Sequence, residues 1–282
     1  TMSIASRAYA IFVPGAALFC FGLALFSPVM LRDGDTFMHI AAGGWMLDHH
    51  RLATTDPFSF TAAGRPWVSH EWLAELVMAL AYRAGGWPGL LAPFAAALAA
   101  SVLLLGHAAR RWLEPLPAAI LVLCTLSTVM PSLLARPHLL VLPIMVAWAL
   151  IVLAARSRGR APHLAAALLL VPWVNLHGSF LVGLAFAAAA GVEAWVESPG
   201  GRARVARAWG GFLLACLLAT LATPHGLPGL LLPFHLLAMP ALRKINEWAP
   251  LSFAEPPPLL APLLALLYFG LAYGPRRPKL RV

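Results

Sequence analysis

Tyr9–Leu31, YAIFVPGAALFCFGLALFSPVML, is the stretch that decides the fold, because it carries no charged residue from end to end. A helix of that length crosses about 30 Å of hydrocarbon and is too long for a signal-peptide core. No small-residue cleavage site follows it, so it reads as a retained anchor. Outward from it, apolar runs at 88–109, 116–134, 138–155, 162–176, 178–196, 208–223 and 258–273 are divided by Pro, Gly or charged residues. The expectation is an all-α integral membrane protein: a single transmembrane domain over 1–282 with about eight transmembrane helices.

Composition agrees. With 61% hydrophobic and 11% charged residues in 282, the chain cannot cover a soluble globule with polar surface. The mean hydropathy is +0.79. A net charge of +9 raises nucleic acid as a partner, yet the basic residues form short clusters between apolar runs instead of one stripe, which excludes it. The clusters are Arg7, then Arg110 and Arg111, then Arg156, Arg158 and Arg160, then Arg202, Arg204 and Arg207, then Arg276, Arg277, Lys279 and Arg281. All fall on one side if 71–84 lies on the surface, and the positive-inside rule makes that side cytoplasmic, with both termini there. Cys20, Cys124 and Cys216 each sit inside an apolar run, which suits packing and suggests neither disulfides nor a thiolate metal site.

The other face then receives 32–87, 135–138, 175–178 and 224–257, with nearly all the remaining Asp, Glu, Asn and His. Segment 32–87 is far longer than a helical hairpin needs and reads as a folded first outer loop. Thr36–His50 and His70–Arg83 show apolar residues at helical spacing (Phe37, Ile40, Ala41, Trp45; Trp72, Leu73, Leu76, Leu80), as expected of two amphipathic surface helices. Thr54–Trp67 is the connecting turn segment. Segment 224–257, interrupted by Pro228, Gly229, Pro233 and Pro240, reads as interfacial or re-entrant.

Asp33-Gly34-Asp35 follows the first span directly. Two carboxylates so spaced can share a divalent ion, magnesium or manganese, or one can act as a base; the plainer role is an N-cap for the following helix. Ser69-His70-Glu71-Trp72 brings a further acid and imidazole, with Ser69 equally able to cap. Arg136-Pro137-His138 places an arginine on the face that the charge rule avoids; it can hold a phosphate bidentately or snorkel to headgroups. Asn175-Leu176-His177-Gly178 and Thr223-Pro224-His225-Gly226 are polar span ends on the same face, and Arg243-Lys244 is an adjacent basic pair suited to an anionic lipid head. Five imidazoles, those of His39, His70, His138, His177 and His225, lie near one face without the tight spacing of a zinc or copper site. There is no phosphate-binding loop, nucleophile elbow, haem-attachment motif or nucleotide fingerprint, which argues against a soluble nucleotide substrate. The near absence of ionisable groups within the spans argues against a transporter.

In order and spacing, Asp35-Thr-Phe-Met-His39, Asp56-Pro-Phe-Ser-Phe60, His70-Glu-Trp72, Arg136-Pro-His138 and Asn175-Leu-His-Gly178 resemble bacterial members of the GT-C class of membrane glycosyltransferases, over most of residues 9–250. The resemblance implies a multi-pass protein of the bacterial inner membrane that takes a sugar from a polyprenyl-phosphate carrier on the periplasmic face, with inversion. It implies catalytic roles for Asp35, as base or metal ligand, with Asp33 and Glu71 as its partners. Arg136, His138 and Arg243 would steady the departing phosphate, and His39, His70, Asn175 and His177 would line the substrate site. The alternative is a non-catalytic accessory or structural subunit of a larger membrane complex with protein partners. Convergence of Asp33, Asp35, Glu71, Arg136 and His138 on one cavity separates the two.

Overall fold

The first helix, α1 (Ile4–Phe26), starts where the Ser3 hydroxyl accepts the Ser6 amide at 3.1 Å, and stops at Ser27-Pro28, since the residue before a proline is driven out of helical geometry. The computed structural model that carries this description covers residues 3–239 together with Ala261, Leu264, Ala265 and Tyr268. A 3-10 turn, Pro28–Leu31, leads to α2 (Asp35–His49), which ends at His50 in the left-handed region. Next comes α3 (Trp72–Ala109), broken at Gly85 and Gly86; with φ 60° and ψ −145°, Gly86 occupies a region open only to glycine. The helix expected over 70–83 and the span expected over 88–109 are thus the two limbs of α3.

After α3 come α4 (Pro115–Val129), the single turn α5 (Pro137–Leu140), α6 (Leu142–Ser157), a 3-10 stretch Leu164–Leu169 running into α7 (Leu170–Leu176), α8 (Phe180–Val196), α9 (Arg202–Thr220) and α10 (Gly226–Leu237). Prolines at the first turns of α4, α5 and α6 occupy positions whose N–H would have no helical partner anyway. The described residues contain no strand; the protein is all-helical. Among the described residues, four helical segments are long and apolar enough to cross a membrane: Ile4–Phe26, Trp72–Ala109, Pro115–Ser132 and Arg202–Thr220. The runs expected to cross at 138–155, 162–176 and 178–196 form shorter apolar helices. The eighth expected span, 258–273, lies outside the described residues apart from Ala261, Leu264, Ala265 and Tyr268.

Among the described residues, two large cores and a smaller cluster of Tyr9, Val13, Ala109 and Ala118 hold the helices together. The first lies where α1 packs along the second limb of α3, with Phe94, Leu98 and Met30 among its buried members; the second joins α6 to α9 through Trp148, Trp173 and Phe212. Trp148 stacks on Phe212 at 5.7 Å and donates its Nε1 proton to the Gly183 carbonyl at 2.9 Å, so its one polar atom is satisfied. The described basic clusters follow helix ends that meet. Arg110 lies over the Tyr9 ring, Arg156 pairs with Glu193 and Glu197 of the α8 end, and Arg202 lies over Trp195.

Within 32–87 the helices pack by a different face from the one their large apolar residues mark. On α2 the buried residues are Thr36, His39, Ala42, Gly43 and Met46, against Ala74, Glu75, Met78 and Ala79 of α3. Phe37 and Leu80, members of the apolar stripes, stay exposed. Close approach explains the choice: a Cβ on Gly43 would lie 2.0 Å from the Glu75 carbonyl oxygen, so only glycine lets the two backbones meet. Gly43→Ala is therefore expected to lower stability by about 2–3 kcal/mol, since the obstructing atom is backbone and cannot rotate away. Thermal unfolding in detergent measures it; an unchanged midpoint would mean that α2 and α3 do not pack this closely.

Candidate functional site

Residues 54–67 form a pinned knuckle that feeds the site. Thr55 bridges Pro66, and the Asp56 carboxylate accepts the Phe58 and Ser59 amides at 2.8 and 2.9 Å. Hydrogen bonds from the Ser59 side chain and from these amides hold that carboxyl below the usual range. The chain leaves the knuckle at Ser69-His70-Glu71, directly before α3.

There Glu71 is the hub. Its carboxylate has His177 Nε2 at 3.5 Å and His70 Nε2 at 3.7 Å from Oε1, and His39 Nε2 at 3.8 Å from Oε2. His39, only 4% exposed, lies between two acids, with Nδ1 3.6 Å from Glu75 Oε1. Among the described residues that Nδ1 has no hydrogen-bond partner within the usual limits, so it is a buried polar atom whose nearest acidic neighbour is Glu75. Glu75 is fixed by the Ser69 hydroxyl, which donates to Oε2. Ser69 therefore does not cap α3, whose N-cap Glu71 makes no side-chain capping bond.

Arg136 forms the second half. Nη1 lies 3.0 Å from Asp33 Oδ2 and Nη2 2.7 Å from Asp35 Oδ2, a fork across both carboxylates. Arg136 thus turns inward onto acids instead of snorkelling. Asp33 Oδ1 also accepts the Asp35 amide at 2.9 Å, so it steadies the start of α2 while its other oxygen pairs with the arginine. The guanidinium occupies the space between the two carboxylates. The Asp33–Asp35 pair does not fit a magnesium or manganese ion unless Arg136 is displaced, and no step below is routed through a metal. Among the described residues no His, Cys, Asp or Glu group is arranged to hold a metal ion.

A cavity of about 530 Å³ joins the halves, lined by His39, Glu71, Arg136, His138 and His177 with the 131–134 turn. His177 receives the Ser179 amide on Nδ1 at 3.1 Å, which leaves the proton of the neutral ring on Nε2, facing Glu71. His138 Nε2 bonds the Ser132 carbonyl at 2.9 Å, so there too Nε2 carries the proton. Burial, reinforced by His138, His70 and Arg136, pushes His177 down to about 3, so it stays neutral near neutral pH. Burial likewise lowers His70. Burial raises Glu71 to about 7, against the opposing pull of His39. The result is a carboxyl able to take or give a proton at neutral pH.

Of the residues singled out in the sequence, His39, Glu71, Arg136, His138 and His177 line the cavity. Asp33 and Asp35 are tied to it through Arg136, and His70 through Glu71. Asn175 stands behind the wall: it accepts Trp72 Nε1 at 2.6 Å and donates to the Val171 and Ala222 carbonyls at 2.7 and 2.9 Å. It locks the start of α3 to the ends of α7 and α9. Asn175→Ala is expected to lower stability by about 2–4 kcal/mol by stranding all three partners, and Trp72→Phe by about 1–2 kcal/mol. Unfolding midpoints of the two variants test the order; a smaller loss for Asn175→Ala would deny it the locking role. Arg243 lies outside the described residues. Glu75 escaped sequence reading, although a lone acid inside an apolar helix, one turn beyond Glu71, was a usable signal. His225, whose Nε2 is 3.0 Å from the Ser69 carbonyl, also joins the rear of the site.

No protein-family model matches the chain, and no match was found among curated proteins or solved structures.

Proposed function

We propose that the protein is a membrane glycosyltransferase of the GT-C type that moves a sugar from a polyprenyl-phosphate carrier to an acceptor hydroxyl on the outer, periplasmic face. The observation that carries the proposal is the convergence of a proton-exchanging carboxyl, Glu71, and a clamped guanidinium, Arg136, on one cavity. This is the chemistry that sugar transfer from a phosphate needs. The acceptor hydroxyl must lose a proton as it attacks, and the leaving phosphate must have its growing negative charge met by preorganised donors.

In this scheme Glu71 is the base. It is preferred to Asp35, whose carboxylate is committed to Arg136. His39, fixed between Glu75 and Glu71, and the Nε2–H of His177 hold the Glu71 carboxyl toward the cavity. Arg136 and the neighbouring His138 meet the phosphate. Front-side charge stabilisation with attack from the opposite face inverts the anomeric centre. The wider reading has the shorter helices α6 to α8 and segment 258–273 crossing as well, for about eight spans, with the basic helix ends and both termini in the cytoplasm of a bacterium.

Native mass spectrometry of gently purified protein tests this. A retained polyprenyl-phosphate species that disappears in Arg136→Ala supports the transferase. Protein partners at fixed stoichiometry, with no such lipid and no transfer of a lipid-linked sugar, would overturn it in favour of an accessory subunit.

A further inference from the structure

A second cavity, of about 700 Å³, lies at the opposite end of α1 from Glu71, and nothing in the transferase reading uses it. Its walls come from residues 6–14 of α1, residues 103–108 of α3 with Arg110 and Arg111 just past its end, and Leu150 of α6. Where they line the cavity α1 and α3 run antiparallel, since Arg110 lies over the Tyr9 ring while Val13, one turn further along α1, closes on Gly106, one turn earlier along α3; the Tyr9 hydroxyl also donates to the Gly106 carbonyl at 2.7 Å. Ser6 therefore stands level with Arg110 and Arg111, and Pro14 level with Leu103. The groove has one polar end, with Ser6, His107, Arg110 and Arg111, and one apolar end, with Val13, Pro14, Leu103, Leu104 and Leu150.

That gradient runs over about 12 Å, eight helical residues, which is enough for a phosphate headgroup and the upper part of the acyl chains attached to it. At its polar end Arg110 is preset: its Nη1 donates to the Leu113 carbonyl at 2.5 Å and its guanidinium lies 5.6 Å from the Tyr9 ring centre. Arg111 and His107 are exposed, and among the described residues no acid pairs with either. At the other end Leu103 and Leu104 are 44% and 38% exposed on a helix long and apolar enough to span. Pro14 has no N–H, so the carbonyl of Ala10, which also lines the groove, loses its helical donor.

We infer that this groove binds one anionic phospholipid, its phosphate against Arg111, Arg110 and His107 and its acyl chains along Leu103, Leu104 and Leu150. Charge complementarity selects the headgroup, and the apolar wall requires chains attached to it. The site is independent of the sugar-transfer reading and stands if that reading fails.

Delipidated full-length protein titrated with phosphatidylglycerol or phosphatidylcholine, and read by native mass spectrometry, tests the inference. Wild type is expected to keep one phosphatidylglycerol under conditions that strip phosphatidylcholine. The paired variant His107→Ala/Arg111→Ala should lose about tenfold or more in affinity, the worth of one or two charge-assisted contacts. Arg204→Ala, which removes an exposed arginine of α9 outside the groove, should bind as wild type does. Equal affinity for the two lipids, or an unchanged preference in the paired variant, would overturn the site. So would equally tight binding of glycerol 3-phosphate, because the apolar wall would then contribute nothing.

Discussion

Glu71→Gln is expected to abolish sugar transfer while making the protein more stable at pH 8. The carboxyl is held near 7 in the fold against an ordinary 4.5, chiefly by burial. Between those two values the folded state keeps a proton that the unfolded chain releases, so stability falls as pH rises from about 4.5 to about 7 and the loss is complete above it. A shift of that size is worth about 3 kcal/mol. Glutamine keeps the shape and removes the charge. The variant should therefore match wild type near pH 4.5 and melt higher by about 5 °C at pH 8. Transfer should fall by about 10²–10⁴, the usual contribution of a positioned base, and wild-type activity should climb with pH through about 7. Thermal melts at the two pH values and a transfer assay measure both halves. A variant that is no more stable at pH 8, or that retains activity, would remove Glu71 from the role of base.

Arg136→Ala is expected to cut retention of a polyprenyl-phosphate ligand by about 10- to 100-fold, since a hydrogen bond to a charged group is worth about 1.5–3 kcal/mol. It also leaves Asp33, with a side chain 13% exposed, and Asp35 as uncompensated neighbouring charges. The resulting instability of about 1–3 kcal/mol is smaller than for a fully buried pair, because the Asp35 side chain is half exposed. Arg136→Lys separates the two effects. One ammonium restores charge but cannot span both carboxylates, so stability should recover more than ligand retention. Equal recovery of both would show that only the charge matters, not the fork.

Much of the cavity's lining was legible along the chain. His39, Glu71, Arg136, His138 and His177 were all marked by standing out of apolar surroundings near one face, and they line one cavity. Their ranking was not legible. The family resemblance makes Asp35 the base or a metal ligand. Only the structure shows it held by an arginine 101 positions away, while Glu71, two residues after a serine suited to capping, gathers three imidazoles. Glu75 was passed over because its one chemical consequence, holding His39, depends on α2 and α3 meeting at Gly43. The buried face of α2 misled for the same reason. A stripe of large apolar residues signals burial in water, but it can equally face lipid, whereas a stripe of small residues lets helices approach.

What the sequence alone determined is the helical character of the chain, with segments long and apolar enough to cross a membrane, and the gathering of its basic residues at particular helix ends. Those follow from transfer free energies that add residue by residue along the chain. Which acid is raised by burial, which is paired with an arginine, and which helix faces touch were decided only by tertiary structure. Desolvation and ion pairing depend on the groups brought across from distant segments, and no local pattern encodes that distance.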